Sequence, residues 1–403
     1  MQRRTLWLVA GLVGGAAVVS SLGLAGLVLL VGAVLGRGWP SLTQALLAAG
    51  LAGQGLALGL PLALQGWAAW QGRPSGRFEL RRGGWLLLGW TVCLGLGSAA
   101  AVLPPAAALM LLPVLHAAGM ALAAWALLWL GARRLRGAGG SWREAVVAMA
   151  GGGIVGMVAA LGIEVVLLPL LGLLFVVMAL FLPGGAERLT ALLEPLQDPA
   201  RLGDLSVMAG IVLRPTVVLA LLVTLGALVP AIEEALKTLA VGLAARWGRP
   251  SPARAYLWGL ASGAGFALAE NMLNGALGGA DGWAAGAVSR LAATLMHVAT
   301  GALVGWGWGE LWTARRPLRL AACYVAAVAV HGLWNAISAG VALLGLARET
   351  GATLWARAAT LGLPVLVGLL GALAVALVVG LVSAGPRLLA QHEHELTGVD
   401  TRP

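Results

Sequence analysis

About ten apolar runs, each long enough to cross a bilayer, dominate the sequence. About 20 apolar residues span the hydrocarbon core as a helix, which satisfies every backbone hydrogen bond within the segment. We therefore predict an all-α, polytopic transmembrane helix bundle of about ten spans. The runs fall at about residues 5–35, 42–70, 84–103, 106–131, 147–182, 210–243, 253–277, 284–311, 319–345 and 358–384.

The arginines alternate between the two sides of this predicted bundle. One side holds most of them, namely Arg3, Arg4, Arg73, Arg77, Arg81, Arg82, Arg133, Arg134, Arg136, Arg143, Arg246, Arg249, Arg254, Arg315, Arg316 and Arg319. The other side holds far fewer, namely Arg37, Arg188, Arg201, Arg348 and Arg357. Because positive charge is enriched in cytoplasmic loops, both termini are predicted to be cytoplasmic.

The composition agrees with a membrane protein and excludes a nucleic-acid partner. The chain is 60% hydrophobic and 10% charged, which is far from the balance of a soluble domain. Its net charge of +10 comes from arginines at the ends of apolar runs, where topology accounts for them. We therefore expect the lipid bilayer to surround the protein, and we expect no nucleic-acid partner.

The sixth run contains three ionisable residues within five positions. Glu233 and Glu234 are followed by Lys237, the only lysine of the chain. Ionisable residues are costly inside a bilayer and need a partner or a function. On a helix Lys237 can reach either carboxylate, and the i,i+4 spacing favours Glu233 as its partner, which leaves Glu234 as the reactive group. Pro230 is expected to loosen the helix just before them and to free a carbonyl.

The next three runs each carry polar groups that can meet these glutamates. In the seventh run, Phe266 and Glu270 share a helix face, with Asn271 beside them. The eighth run carries Arg290, His297 and the small-residue pair Gly301 and Gly305. The ninth run carries His331 and Asn335 at i,i+4. Arg290 is expected either near the outer interface or beside a carboxylate.

Two chemistries are open to such a set of carboxylates and imidazoles. The set can bind a divalent metal such as zinc, which lowers the pKa of bound water. Alternatively, a buried glutamate can deprotonate water unaided, while His and Asn stabilise the oxyanion. Both lead to hydrolysis of an amide in the membrane. A proton- or ion-coupled transporter and a catalytically inactive scaffold or immunity protein are the competing functions.

These residues resemble the PrsW family of intramembrane proteases, which is related to the CAAX prenyl endopeptidases and the Abi bacteriocin-immunity membrane proteins. The matching motifs are EExxK at 233–237, FxxxEN at 266–271, a His–Thr–Gly segment at 297–301 and HxxxN at 331–335. They lie in register over about residues 205–345.

The resemblance implies a membrane-embedded peptidase of the bacterial cytoplasmic membrane that cleaves a membrane-anchored protein, such as a single-span anti-sigma factor. It implies a catalytic role for Glu233, Glu234, Glu270, His297, His331 and Asn335, and a supporting role for Lys237, Phe266, Asn271 and Arg290. Any metal would be held by Glu234, Glu270, His297 and His331.

The predicted organisation has four parts. They are an N-terminal membrane region of about five helices without an assigned role (1–183), an extracytoplasmic amphipathic segment (184–206), the PrsW-like helix bundle (207–345), and the last transmembrane helix with a polar tail (346–403).

Overall fold

The structure is a computed structural model, which describes residues 2–36, 40–80, 82–135, 138–198, 204–278, 282–351 and 353–397. Arg37, Arg81, Arg136 and Arg201, which entered the prediction of orientation, lie outside these ranges. The cytoplasmic position of both termini therefore stays a prediction.

The described residues form α-helices joined by turns and short irregular helices. The α-helices are α1 (Gln2–Leu35), α2 (Leu42–Gln54), α3 (Leu60–Trp70), α4 (Gly84–Ala101), α5 (Pro105–Ala132), α6 (Trp142–Ala150), α7 (Met157–Leu180), α8 (Gly185–Leu193), α9 (Leu205–Val212), α10 (Pro215–Val223), α11 (Val229–Lys237), α12 (Leu239–Gly248), α13 (Pro252–Asn274), α14 (Trp283–Ala314), α15 (Pro317–Thr350) and α16 (Thr353–Thr397). Three π-helical turns, Gly55–Gly59, Gly151–Gly156 and Thr224–Leu228, interrupt longer helices.

The prediction of an all-α polytopic bundle is confirmed. Among the described residues, nine helices are long and apolar enough to cross a membrane, namely Arg4–Leu35, Leu42–Trp70, Gly84–Ala101, Pro105–Ala132, Trp142–Leu180, Pro215–Gly248, Trp283–Ala314, Pro317–Thr350 and Trp355–Ala390. The remaining predicted span, 253–277, is also a helix, α13, but it is not apolar enough to be counted with these nine.

Helix α13 tolerates its polar residues because other helices enclose it. Between Ala253 and Met272, only Arg254 and Glu270 are not fully buried. Glycines make this close packing possible: a methyl group on Gly305 would lie 2.8 Å from the carbonyl of Ala255, and one on Gly301 would lie 2.7 Å from that of Gly259. The small residues of α14 therefore let the two backbones touch, as their spacing predicts.

The chain divides into two compact units. The first comprises Met1–Val158, Glu234–Ala327 and Leu377–Pro403. Helix α13 lies at its centre, where glycines of α2 and of the π-helical turn after α6 also pack against the α13 backbone. The second comprises Ala159–Glu233 and Val328–Ala376.

The second unit has its own small core and backbone contacts. Ala209, Leu213 and Ala347 form a buried cluster. The indole Nε1 of Trp355 donates a hydrogen bond of 3.0 Å to the carbonyl of Leu213. These contacts tie α9, α15 and the start of α16 together within that unit.

Candidate active site

Two acids and the lysine of the predicted site lie on α11, a short helix that begins after a π-helical turn. In that turn, Thr224–Leu228, the N–H of Val229 donates to the carbonyl of Thr224. Pro230 has no N–H, so the carbonyl of Leu225 receives no bond from it. Asn335 fills this gap: its Nδ2 donates to the Leu225 carbonyl at 3.1 Å. The expected effect of Pro230 is confirmed, and the amide of Asn335 supports the helix break.

Helix α11 ends at a second break, at Thr238. The hydroxyl of Ser262 on α13 donates to the carbonyl of Lys237 at this point. Thr238 donates from Oγ1 to the carbonyl of Glu234 at 3.1 Å, and the indole of Trp308 donates to the same Oγ1 at 3.2 Å. Side chains from α13 and α14 thus hold this end of the helix.

Lys237 is fully buried and satisfied by three acceptors. Its Nζ lies 2.5 Å from Oε1 of Glu234, 2.7 Å from Oγ1 of Thr300 and 3.5 Å from Nδ1 of His297. An ammonium has three donors, so this set accounts for all of them. The predicted pairing of Lys237 with Glu233 is wrong. Lys237 pairs with the carboxylate at i,i+3, that of Glu234, because Thr300 and His297 of the same unit supply the other two acceptors of its ammonium group.

His297 is paired with Glu270, a contact that the sequence analysis did not predict. Its Nε2 lies 2.7 Å from Oε2 of Glu270. The other oxygen of Glu270, Oε1, accepts bonds from Arg290 at 3.2 Å and from Asn274 at 3.0 Å. Phe266 packs against the imidazole of His297, with the ring centroids 5.3 Å apart. Arg290 therefore neutralises a carboxylate, which was one of its two expected positions.

Asn271 lies beside this group and connects α13 to α14. Its Nδ2 donates to Oγ1 of Thr294 at 2.8 Å and to the carbonyl of Arg290 at 3.1 Å. The side chain is buried. Asn271 therefore links the helix that carries Glu270 to the helix that carries Arg290.

The second unit contains a separate carboxylate–imidazole pair. Oε2 of Glu233 lies 3.5 Å from Nε2 of His331. The side chain of His331 is 2% exposed and that of Glu233 is 12% exposed, whereas Glu234 is 0% exposed. Of the two adjacent glutamates, Glu233 is therefore the one whose side chain keeps some exposed surface.

Comparison with known proteins identifies the family. The sequence model of the PrsW family intramembrane metalloproteases matches residues 140–369, which is more than half of the chain. The chain belongs to the PrsW family. No curated protein and no solved structure matches it.

Membership in the PrsW family makes the chain an integral membrane protein of an intramembrane protease family. The match begins at residue 140, so it also includes α6 and α7, which lie outside the segment 205–345 that carries the motifs. All of the candidate residues named from the sequence fall within it. The PrsW assignment agrees with the buried Glu and His residues described above.

The donor atoms of these pairs fit the kind of metal that the PrsW description implies. Carboxylate oxygens and imidazole nitrogens are ordinary ligands of zinc and similar divalent ions. Two ligands of one tetrahedral ion lie about 3.3 Å apart when each bond is about 2.0–2.1 Å long. The separation of His331 Nε2 and Glu233 Oε2, 3.5 Å, is close to this value, whereas the 2.7 Å between His297 Nε2 and Glu270 Oε2 is that of a direct hydrogen bond.

The sequence analysis named Thr300 only as part of the His–Thr–Gly segment, and it did not predict its bond to Lys237. It did not predict a role for Ser262, Thr238 or Trp308 in the PrsW site, because the bonds of Ser262 and Trp308 join residues from different helices. Each of them holds the backbone or the lysine of α11.

Proposed function

We propose that the chain is a metal-dependent intramembrane endopeptidase in which Glu233, rather than Glu234, acts at the reacting water. The observation that carries this assignment is the different pairing of two adjacent glutamates. Glu234 is fully buried and paired with Lys237, whereas Glu233 is partly exposed and faces His331. Glu234 cannot reach water without breaking a buried ion pair, which is strongly unfavourable.

The proposed metal ligands are Glu233 and His331 of the second unit, whose facing atoms, Oε2 and Nε2, lie 3.5 Å apart. A divalent metal held by them would polarise a substrate carbonyl and lower the pKa of bound water to about 7.

Glu270 is proposed to move the proton. Arg290 and Asn274 hold its Oε1, so Oε2 is the oxygen that faces the imidazole of His297. The side chain is 16% exposed, so it is not sealed inside the protein. Glu270 would receive the proton of the attacking water at Oε2 and return it to the nitrogen of the leaving amine.

Lys237 and Asn335 are proposed to position α11. The ion pair of Lys237 fixes the rotation of the helix, and the amide of Asn335 fixes its start. The proposed substrate is a membrane-anchored protein, such as a single-span anti-sigma factor in a bacterial cytoplasmic membrane. This substrate class comes from the family resemblance.

Three single substitutions test the assignment. Glu233→Gln is expected to lose both bound metal and product formation. Glu270→Gln is expected to keep the metal and lose product formation, because it removes only the proton acceptor. Glu234→Gln is expected to lower stability while the folded fraction retains metal. Metal content is measured on the purified protein after dialysis against a weak chelator, with zinc as the added probe.

Product is measured by comparing protein N-termini in the membranes of the native host. One strain carries the natural chain and the other carries Glu233→Gln at matched abundance. New N-termini within or beside single-span helices, present only with the natural chain, would identify the substrate. Full metal binding and unchanged N-termini with Glu233→Gln would refute the proposed role of Glu233.

A further inference from the structure

An apolar cavity of about 370 Å³ lies in the second unit, outside the residues assigned to hydrolysis. Side chains from the end of α7, from α8 and from the start of α10 line it. The apolar part includes Phe175, Met178, Leu182, Leu189 and Leu192. This volume lies within the range of small-ligand sites, and the apolar lining suits hydrocarbon.

The helix that forms one wall of this cavity is amphipathic. Leu189 and Leu192 of α8 are half-buried and contribute to the lining, while Glu187 and Thr190 are exposed. Residues three positions apart share a helix face, so the leucines form one apolar side. Because α8 directly follows the apolar helix α7, we expect it at the level where the hydrocarbon core ends and the headgroups begin.

Two arginines contribute to the same lining. Arg188 donates to the carbonyl of Pro183 at 2.9 Å. Arg214 donates from Nη2 to the carbonyl of Ala191 at 3.2 Å and from Nε to that of Gly210 at 3.2 Å. These bonds fix both guanidinium groups but use only some of their five donors each.

The lining is therefore positively charged as well as apolar. None of the described residues that line the cavity is acidic. Guanidinium groups bind phosphate oxygens in a planar, often bidentate arrangement. A ligand that matches both features has a hydrocarbon chain and a phosphate separated by a short linker.

We propose that this cavity binds an anionic glycerophospholipid. One acyl chain lies among the apolar side chains, and the phosphate contacts Arg188 and Arg214. A free phosphate shares the headgroup chemistry, but it leaves the apolar part of the lining without a partner. The site does not depend on the proposed catalytic role of any residue.

Lipid binding to the purified full chain, measured by native mass spectrometry, tests this proposal. The protein in detergent is titrated with phosphatidylglycerol or with phosphatidylcholine of the same acyl chains. Each arginine near a membrane surface strengthens binding of an anionic lipid by roughly fivefold, so the natural chain is expected to prefer phosphatidylglycerol by about 30-fold. Arg188→Gln and Arg214→Gln should each reduce the preference about fivefold, and the double variant should remove it.

Arg357→Gln is the matched control, because Arg357 is an exposed arginine of the same unit that does not line the cavity. It should retain the full preference. Equal affinity for the two lipids in the natural chain, or an unchanged preference in the double variant, would overturn the proposal.

Ala179→Phe tests the acyl-chain part of the cavity, so it can still decide the proposal if the Arg214→Gln variant does not fold. Ala179 lines the cavity, and a phenyl group there would occupy the space of several methylene groups. Binding of phosphatidylglycerol should fall by about tenfold or more, because each excluded methylene group loses its burial. Unchanged binding in this variant, or displacement of the lipid by millimolar inorganic phosphate, would show an anion site without an acyl chain and would refute the lipid assignment.

Discussion

Replacing Lys237 by methionine should destabilise the protein far more than most single substitutions. Both Lys237 and its partner Glu234 have fully buried side chains, with Nζ and Oε1 2.5 Å apart. Methionine is similar in size and apolar, so it leaves the carboxylate of Glu234 buried beside no positive charge. Breaking a buried pair in this way costs about 3–5 kcal/mol. The folding equilibrium constant should fall by between about 100-fold and several thousand-fold.

A second substitution distinguishes lost charge from lost packing. In the double variant Glu234→Gln with Lys237→Met, neither side chain is charged, and neutral replacements of buried pairs are often nearly neutral in stability. The double variant should therefore be more stable than Lys237→Met alone. Glu234→Gln alone should lie between them, because Thr300 and His297 still surround the ammonium group.

Equilibrium unfolding of the purified protein in mixed micelles, followed by tryptophan fluorescence, supplies the four stabilities of this cycle. Glu233→Gln is the control, since its side chain is partly exposed and its partner is a histidine. It should cost much less than Lys237→Met. If the two single effects simply add in the double variant, or if Lys237→Met is as stable as the natural chain, the buried charge pair does not stabilise α11 and the reasoning fails.

Four further substitutions test how α11, α13 and α14 are held, each by the same unfolding measurement. Ser262→Ala removes the bond to the backbone at the end of α11 and should cost about 0.5–1.5 kcal/mol; an unchanged stability would show that this bond is dispensable. Thr300→Val keeps the shape of the side chain but removes a hydrogen-bond acceptor from the buried ammonium of Lys237, which should cost about 1.5–3 kcal/mol. A smaller loss of stability for Thr300→Val than for Ser262→Ala would contradict this expectation. Gly263→Ala should cost at least about 1–3 kcal/mol, because a methyl group there meets the backbone of α14. Gly286→Ala, which has open space around it, should be neutral or stabilising by about 0.4–1 kcal/mol. Equal effects of the two substitutions would refute the close packing of α13 against α14.

The sequence was sufficient for the features that depend on local chemistry. Apolar runs of bilayer length predicted the helices, and Pro230 predicted the freed carbonyl at the start of α11. That Glu270 and His297 would each need a polar partner also followed from their place in membrane helices, but their direct pairing was not predicted.

The remaining details depend on contacts between distant parts of the chain. Both glutamates lie within reach of Lys237 on an isolated helix, so helix geometry alone could not choose between them. Thr300, from another helix, is bonded to the same ammonium as Glu234. Similarly, the i,i+4 spacing placed Asn335 beside His331, but it could not reveal that the Leu225 carbonyl would need its amide.

The polar character of α13 also has a consequence for how the protein is made. This helix carries Arg254, Glu270 and Asn271 and is not among the nine segments apolar enough to enter a bilayer unaided. Glu270 and Asn271 find partners on α14, which is synthesised after it, whereas Arg254 pairs with Glu144 of the earlier helix α6. We expect α13 to remain at the insertion machinery until α14 has emerged and to enter the lipid together with it. The residue proposed to move the proton would then reach its membrane position only as part of a helical hairpin.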